Sequence, residues 1–210
     1  STYYHIYNRG INGEPIFKEP KNYTYFLQLY AKYIPLIADT YAYCLLGNHF
    51  HLLIKIRSEE EIMHAIVGAN YTANSGRVLN PPRVQTKIQT ASSFTSLQFS
   101  KLFNSYAQAI NKAYQRTGGL FEDPFRRIPV ASEKYFTQMI YYIHANPKKH
   151  GFCEDFTEYP HSSYNAFILE RDTKLKREEV LDWFGNKEQF VKFHQQYKPL
   201  VGIEKITEDL

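Results

Sequence analysis

Apolar positions that alternate in some stretches and recur every three or four residues in others divide this chain into short strands and amphipathic helices. Residues 3–7 read as a strand that ends at the turn-prone Asn8-Arg9-Gly10 and Asn12-Gly13. From 22 to 35, Tyr23, Phe26, Leu27 and Tyr30 share one face of a helix. Residues 37–46 and 49–56 make two more strands, and the tight Gly47-Asn48 connection makes them most simply an antiparallel hairpin. Ser58-Glu59-Glu60-Glu61 opens a further helix with acidic residues that suit its N-terminus. Residues 73–93 carry Gly76, Pro81-Pro82 and many Ser and Thr, and read as an excursion from the core. A long helix spans 94–116, with Phe99, Leu102, Phe103, Tyr106 and Ile110 in its apolar stripe and Thr117-Gly118-Gly119 as its stop. A fourth strand is expected within 120–130, interrupted at Pro124. Ser132 caps a helix that Pro147 ends, and two shorter helices are expected at 180–184 and 187–197.

The order strand, helix, strand, strand, helices, strand, helix predicts an α+β fold. It fits a ferredoxin-like or RRM-like sandwich, an antiparallel sheet with helices on one face and the other face free for a site. Residues 1–167 would form this domain, with the excursion at 73–93, and 168–210 a C-terminal helical appendage.

Composition narrows the setting. The chain has 210 residues, enough for a real core, with 18 Tyr and 15 Phe that can serve as core or as stacking platforms for unpaired bases. A net charge of +4 permits nucleic-acid binding without demanding it. Cys44 and Cys153 lie in unrelated contexts, so neither a zinc knuckle nor a disulfide framework is expected, and a reducing cytoplasm is the natural compartment. No stretch approaches the roughly 20 apolar residues of a membrane span, and no signal peptide is expected.

The candidate chemistry starts at His49-Phe50-His51 in the third strand. Alternation sends both imidazoles to one face and Phe50 into the core. Two convergent imidazoles are half of a metal site, although an isolated His-x-His is more often a solvated pair. The helix before Pro147 offers the other half. Tyr142 and Asn146 are four residues apart and lie one above the other on one helical face. Meeting the imidazoles across the sheet, they would place two nitrogens and one amide oxygen around a divalent ion with a phenol beside it. Mg²⁺ or Mn²⁺ would suit such a set, leaving positions for phosphate oxygens and water. The implied reaction is phosphodiester transfer to tyrosine. A phenol with a pKa of about 10 would need a metal to polarise the phosphate, accurate positioning, and basic neighbours that favour the phenolate.

These residues stand in motifs that resemble the REP-associated tyrosine transposases, a family within the single-tyrosine HUH transposases. Gly47-Asn48-His49-Phe50-His51-Leu52-Leu53 is similar to that family's Pro-Asn-His-hydrophobe-His-Leu-Leu. Tyr142-Ile143-His144-Ala145-Asn146-Pro147, followed by Lys149-His150-Gly151, is similar to its Tyr-Ile-x-x-Asn-Pro helix and exit. Tyr4-His5-Ile6-Tyr7-Asn8-Arg9-Gly10, Gly119-Leu120-Phe121-Glu122 and Tyr159-Pro160-His161-Ser162-Ser163-Tyr164 add matches in the family's order, from Tyr3 to Tyr164. The resemblance implies Tyr142 as nucleophile and His49, His51 and Asn146 as metal ligands. It implies cutting of single-stranded DNA beside an imperfect hairpin, with a 5′-phosphotyrosine and a 3′-hydroxyl as products, in a cytoplasmic, nucleoid-associated setting. It leaves a homodimer open. Two departures are Gly47 for proline, which loosens the turn, and His161 for tryptophan, which alters the packing or base contact of that ring.

Other residues carry weaker expectations. Arg126-Arg127 and Lys148-Lys149-His150 are basic clusters that ordinarily form solvated faces, but beside a phosphodiester they become backbone clamps, as does Arg9. Tyr141 points about 100° away from Tyr142 and reads as core or groove lining. His144 reads as a surface or phosphate-contacting residue, and Glu122-Asp123 as an acidic turn. The alternatives are a hairpin-binding module of the same fold without catalysis, or a water-using metallophosphoesterase. The latter would need more acidic ligands and leaves Tyr142 without a task.

Overall fold

Gly47 and Asn48 form a two-residue turn that sets the register of everything around it, with Leu46 opposite His49 across the hairpin. In the computed structural model, which describes residues 2–74, 90–130 and 132–197, this hairpin joins β2 (Ala38–Leu46) to β3 (His49–Ile56). β1 (Tyr3–Arg9) lies on the other side of β3, and β4 (Arg126–Val130) lies beside β1. The sheet therefore runs β2-β3-β1-β4, antiparallel throughout. The glycine does not leave the turn slack. Its carbonyl accepts the backbone N–H groups of Ile16 and Phe17, and Gly10 N–H donates to Asn48 O at 2.8 Å. Gly10 is required by close approach, because a Cβ there would fall 2.0 Å from Glu14 O.

The helices are α1 (Pro20–Tyr33), α2 (Glu59–Asn74), α3 (Ala91–Ala113), α4 (Glu133–Lys149), α5 (Tyr164–Ile168), α6 (Arg177–Phe184) and α7 (Lys187–Gln196). Glu19 and Asn22 form a reciprocal cap on α1, Thr90 caps α3 and Ser132 caps α4. The α+β class and the antiparallel sheet are as expected. The ends of the expected excursion are helical, and residues 75–89 lie outside the described ones. The fourth strand is shorter than expected, since Leu120 to Phe125 is irregular and only Phe121 bridges back, to Gly10.

The helices do not keep to one face. Phe50, Leu52 and Ile54 of β3, with Ile6 and Leu45, pack under α1, α2 and α3. Leu53, with Ala42, Cys44, Leu46 and Val130, packs under Phe136, Met139, Ile140 and Ile143 of α4. Strand alternation explains the division, because each of these strands offers apolar side chains on both faces. Val180 of α6 and Phe190 of α7 join that second cluster, so the C-terminal helices share its core. α4 also outlasts Pro147, which sits inside its final turn. His150 N–H still reaches Asn146 O at 3.0 Å, and the helix stops where Gly151 takes a positive φ of 72°.

Candidate active site

One face of the sheet, beneath α4, carries an unusual row of rings. Antiparallel pairing places Tyr7 opposite His51 and Arg9 opposite His49, and His5 follows Tyr7 on the same side. His49 is 5% exposed, and His5 and His51 are fully buried. Burial depresses the pKa of all three imidazoles. His5 falls to about 3, His49 falls to about 3 with His150 and Arg9 adding repulsion, and His51 lies well below the ordinary value. At neutral pH these rings are uncharged, so each has one nitrogen with a free electron pair.

Hydrogen bonds decide which nitrogen that is for His49. Its Nδ1 lies 2.7 Å from Asn48 Oδ1, and an amide oxygen can only accept. Nδ1 therefore carries the proton and Nε2 the electron pair. Nε2 of His49 and Nε2 of His51 are both buried without a hydrogen-bond partner.

α4 aligns Tyr142 and Asn146 along one stripe, and His150, the residue just past its end, continues it one turn further. The Tyr142 ring meets His51 edge-on at 5.6 Å between centroids, and the His150 ring meets His49 at 4.8 Å. Asn146 comes between Tyr142 and His150 along that stripe. Its Nδ2 donates to Tyr142 O at 2.8 Å, which turns Oδ1 the other way, and Oδ1 too is buried without a partner. Burying an unpartnered acceptor costs about 1–3 kcal/mol, and three such atoms belong to residues of β3 and of the helix packed over it. Two neutral imidazole nitrogens and an amide oxygen are a donor set whose chemistry would suit a divalent cation such as Mg²⁺ or Mn²⁺. Among the described residues, no three His, Cys, Asp or Glu side chains gather as a metal-binding group, here or elsewhere, so the third donor of this set is the Asn146 amide.

The basic residues divide. Lys148 and Lys149 are exposed at the exit of α4, and Lys149 Nζ stands 5.4 Å from the centre of the Tyr142 ring. Arg126 is opposite Tyr7 and shares the site's face, whereas Arg127 is opposite Ile6 and lines a cleft on the far face with Arg57 and Phe99. Arg9 is held by Glu122, Nε to Oε1 at 2.6 Å, so the acidic turn belongs to an ion pair.

His144 is a correction. Rather than lying at the surface, it is fully buried, because α7 and the segment before α5 cover that side of α4. His194 Nδ1–H donates to Phe190 O at 2.8 Å, which leaves its Nε2 to accept from His144 Nδ1–H at 3.0 Å. His144 Nε2 then accepts from Ser163 Oγ at 2.8 Å, and that oxygen accepts Tyr43 N–H. Tyr141 packs among Phe156, Phe193 and Tyr197, as its direction implied. His161 stacks on Tyr23 with 3.6 Å between centroids and 6° between planes, so a smaller ring still packs there. His150, expected with Lys148 and Lys149 as a backbone clamp, meets His49, whereas nothing in the sequence singles out His5 as a site neighbour. His5 lies two residues before Tyr7, but only the β1–β3 register brings it to His51.

Comparison with known proteins agrees with this geometry. No protein-family model matches the chain. A relative from Haemophilus influenzae, whose given name places it among the REP-associated tyrosine transposases, is 26% identical over 156 residues, 73% of this chain and 71% of its own length. A solved structure of a REP-associated tyrosine transposase bound to a REP hairpin has a TM-score of 0.54 at 13% identity, covering 80% of this chain and 78% of the other. That second likeness is one of fold. The resemblance carried by the motifs is thus met by a sequence relative and a shared fold. No helix among the described residues is long and apolar enough to cross a membrane.

Proposed function

We propose that this chain, which resembles the REP-associated tyrosine transposases in sequence and fold, cuts and rejoins single-stranded DNA beside a hairpin through a tyrosine-linked intermediate. The observation that carries the reading is the trio of buried, unpartnered acceptors, His49 Nε2, His51 Nε2 and Asn146 Oδ1, with Tyr142 on the stripe between them and His5. The trio would hold Mg²⁺ or Mn²⁺, which when bound would polarise the scissile phosphate and offset its charge.

The chain's own residues supply the rest. α4 is anchored by Phe136, Met139, Ile140 and Ile143, so the Tyr142 phenol is carried on a rigid element. Edge-on packing against His5 and His51 limits where its ring can turn. Tyr142 Oη attacks phosphorus, the bond from phosphorus to the 3′ oxygen breaks, the phenol loses its proton and the departing oxygen gains one. The products are a 5′-phosphotyrosine ester and a free 3′-hydroxyl, so the ester bond is kept and a second 3′-hydroxyl can reverse the step. Lys149, beside the Tyr142 ring, together with Lys148 and Arg126, would offer cations to the DNA backbone. Arg127, on the far face, is less well placed for that task.

The test is covalent capture on labelled single-stranded hairpin DNA with Mn²⁺ or Mg²⁺. The wild-type protein should give a protein–DNA band stable to denaturation, and Tyr142→Phe should lower its yield by about 10³-fold or more while retaining hairpin binding. Cleavage that survives Tyr142→Phe would assign the attack to water. Binding with no covalent band in either metal would support the module without catalysis.

A further inference from the structure

We propose that His5 is a positioning residue that fixes the tautomer of His51 and thereby turns the His51 Nε2 electron pair toward the ion. This inference rests on the metal-binding reading of the His49, His51 and Asn146 trio. His5 Nε2 and His51 Nδ1 are 3.0 Å apart, between two rings with no exposed surface. Two neutral imidazoles in such a contact share one proton, and each assignment has consequences. If His5 donated, His51 Nδ1 would hold the electron pair, Nε2 would carry hydrogen, and His51 could not ligate through Nε2. If His51 donates, its Nε2 is left with the electron pair, as is Nε2 of His49, and His5 carries its hydrogen on Nδ1, which is also buried without a partner. Only the second assignment lets a cation relieve the unpartnered nitrogen of His51.

Packing holds the pair in that contact. His5 lies between the rings of Tyr7, at 4.9 Å and 29°, and His51, at 5.1 Å and 21°. The edge of Tyr142 closes over both imidazoles at 6.0 and 5.6 Å. The strand pairing that sets Tyr7 opposite His51 is what brings His5 within reach. A histidine ligand steadied through its second nitrogen is a common way to set both orientation and donor strength. In His49 that second nitrogen binds Asn48; in His51 it binds His5.

Two measurements test this. Long-range ¹H–¹⁵N spectra of the metal-free wild-type protein report the tautomer of His51 directly and need no variant. Hydrogen on Nδ1 is the expected result, and hydrogen on Nε2 overturns the inference. Mn²⁺ titration by calorimetry is then run on wild type, His5→Phe, which keeps a ring without an acceptor, and His5→Gln, which restores an acceptor. His5→Phe should bind Mn²⁺ about 10- to 100-fold more weakly, and His5→Gln should recover most of that loss. Equal affinity in all three overturns the role of His5 alone. Absence of Mn²⁺ binding by the wild-type protein overturns the metal reading of the trio and this inference with it.

Discussion

Two groups of buried histidines flank α4, and they differ in one respect that matters. His144 and His194 form a closed chain in which Tyr43 N–H, Ser163, His144, His194 and Phe190 O each find a partner. His49 and His51 are also buried and also uncharged at neutral pH, yet each leaves one nitrogen with nothing to bind. Burial and a depressed pKa are common to both groups, so neither property marks a site. The unmet electron pair does, because a fold has little reason to leave one inside unless something arrives to take it. The closed chain locks α7 and the strand β2 to α4, and the open group presents its chemistry from β3, where His51 faces Tyr142 of the same helix.

The largest expected effect strikes both groups together. Folded pKa values of about 3 for His5 and His49 and about 4 for His194 lie below the unfolded value of 6.5. Above pH 6.5 neither state takes up protons at these rings. Below it the unfolded chain binds them and the native protein does not, so stability falls as pH drops from about 6.5 toward 3–4. Each such histidine contributes a slope of about 1.4 kcal/mol per pH unit. Urea melts in a chelator at pH 7, 6 and 5 should therefore show several kcal/mol of loss, and a flat profile would mean that these rings are not buried as described.

Single substitutions should then separate the groups. His194→Ala removes the acceptor of His144 Nδ1–H and opens a cavity beside Phe190, and should cost about 2–4 kcal/mol in urea melts. The same variant, where folded, should keep Mn²⁺ affinity within about threefold, because the closed chain has no free electron pair to offer. His49→Gln should do the reverse. It should cost about 1 kcal/mol in the metal-free protein, since Nε2 has no protein partner to lose and only the Nδ1–H bond to Asn48 is at stake, and should weaken Mn²⁺ binding by about 100-fold or more. Equal stability losses in the two variants would erase the distinction. The smallest effect belongs to the rim. Lys149→Ala should weaken hairpin binding only a few-fold and lower the slope of log affinity against log salt by about 1.

Much of this was legible in the residues themselves. The two-residue turn at Gly47-Asn48 and the alternation of His49-Phe50-His51 set the imidazoles on one face, and the i, i+4 spacing of Tyr142 and Asn146 set their common stripe. Neither the pairing of β1 with β3 nor the seating of α4 on the second sheet face follows from local periodicity, so the contacts of His5 with His51 and of His150 with His49 are visible only in the fold. His144 looked exposed because its cover comes from α7, about fifty residues later in the chain, whose apolar face is only two or three side chains wide. Proline removes a donor, here the one that would bond the Ile143 carbonyl, yet the helix runs on past Pro147 to Lys149, and the left-handed Gly151 is what stops it.

The most direct test of the central claim is to locate the attached nucleotide. Protein incubated with a single-stranded hairpin and Mn²⁺ is digested, and the DNA-linked peptide is sequenced by mass spectrometry. The account predicts a 5′-phosphodiester on Tyr142 and none on its neighbour Tyr141. A nucleotide on Tyr141, or cleaved DNA bearing a free 5′-phosphate with no linked peptide, would contradict it.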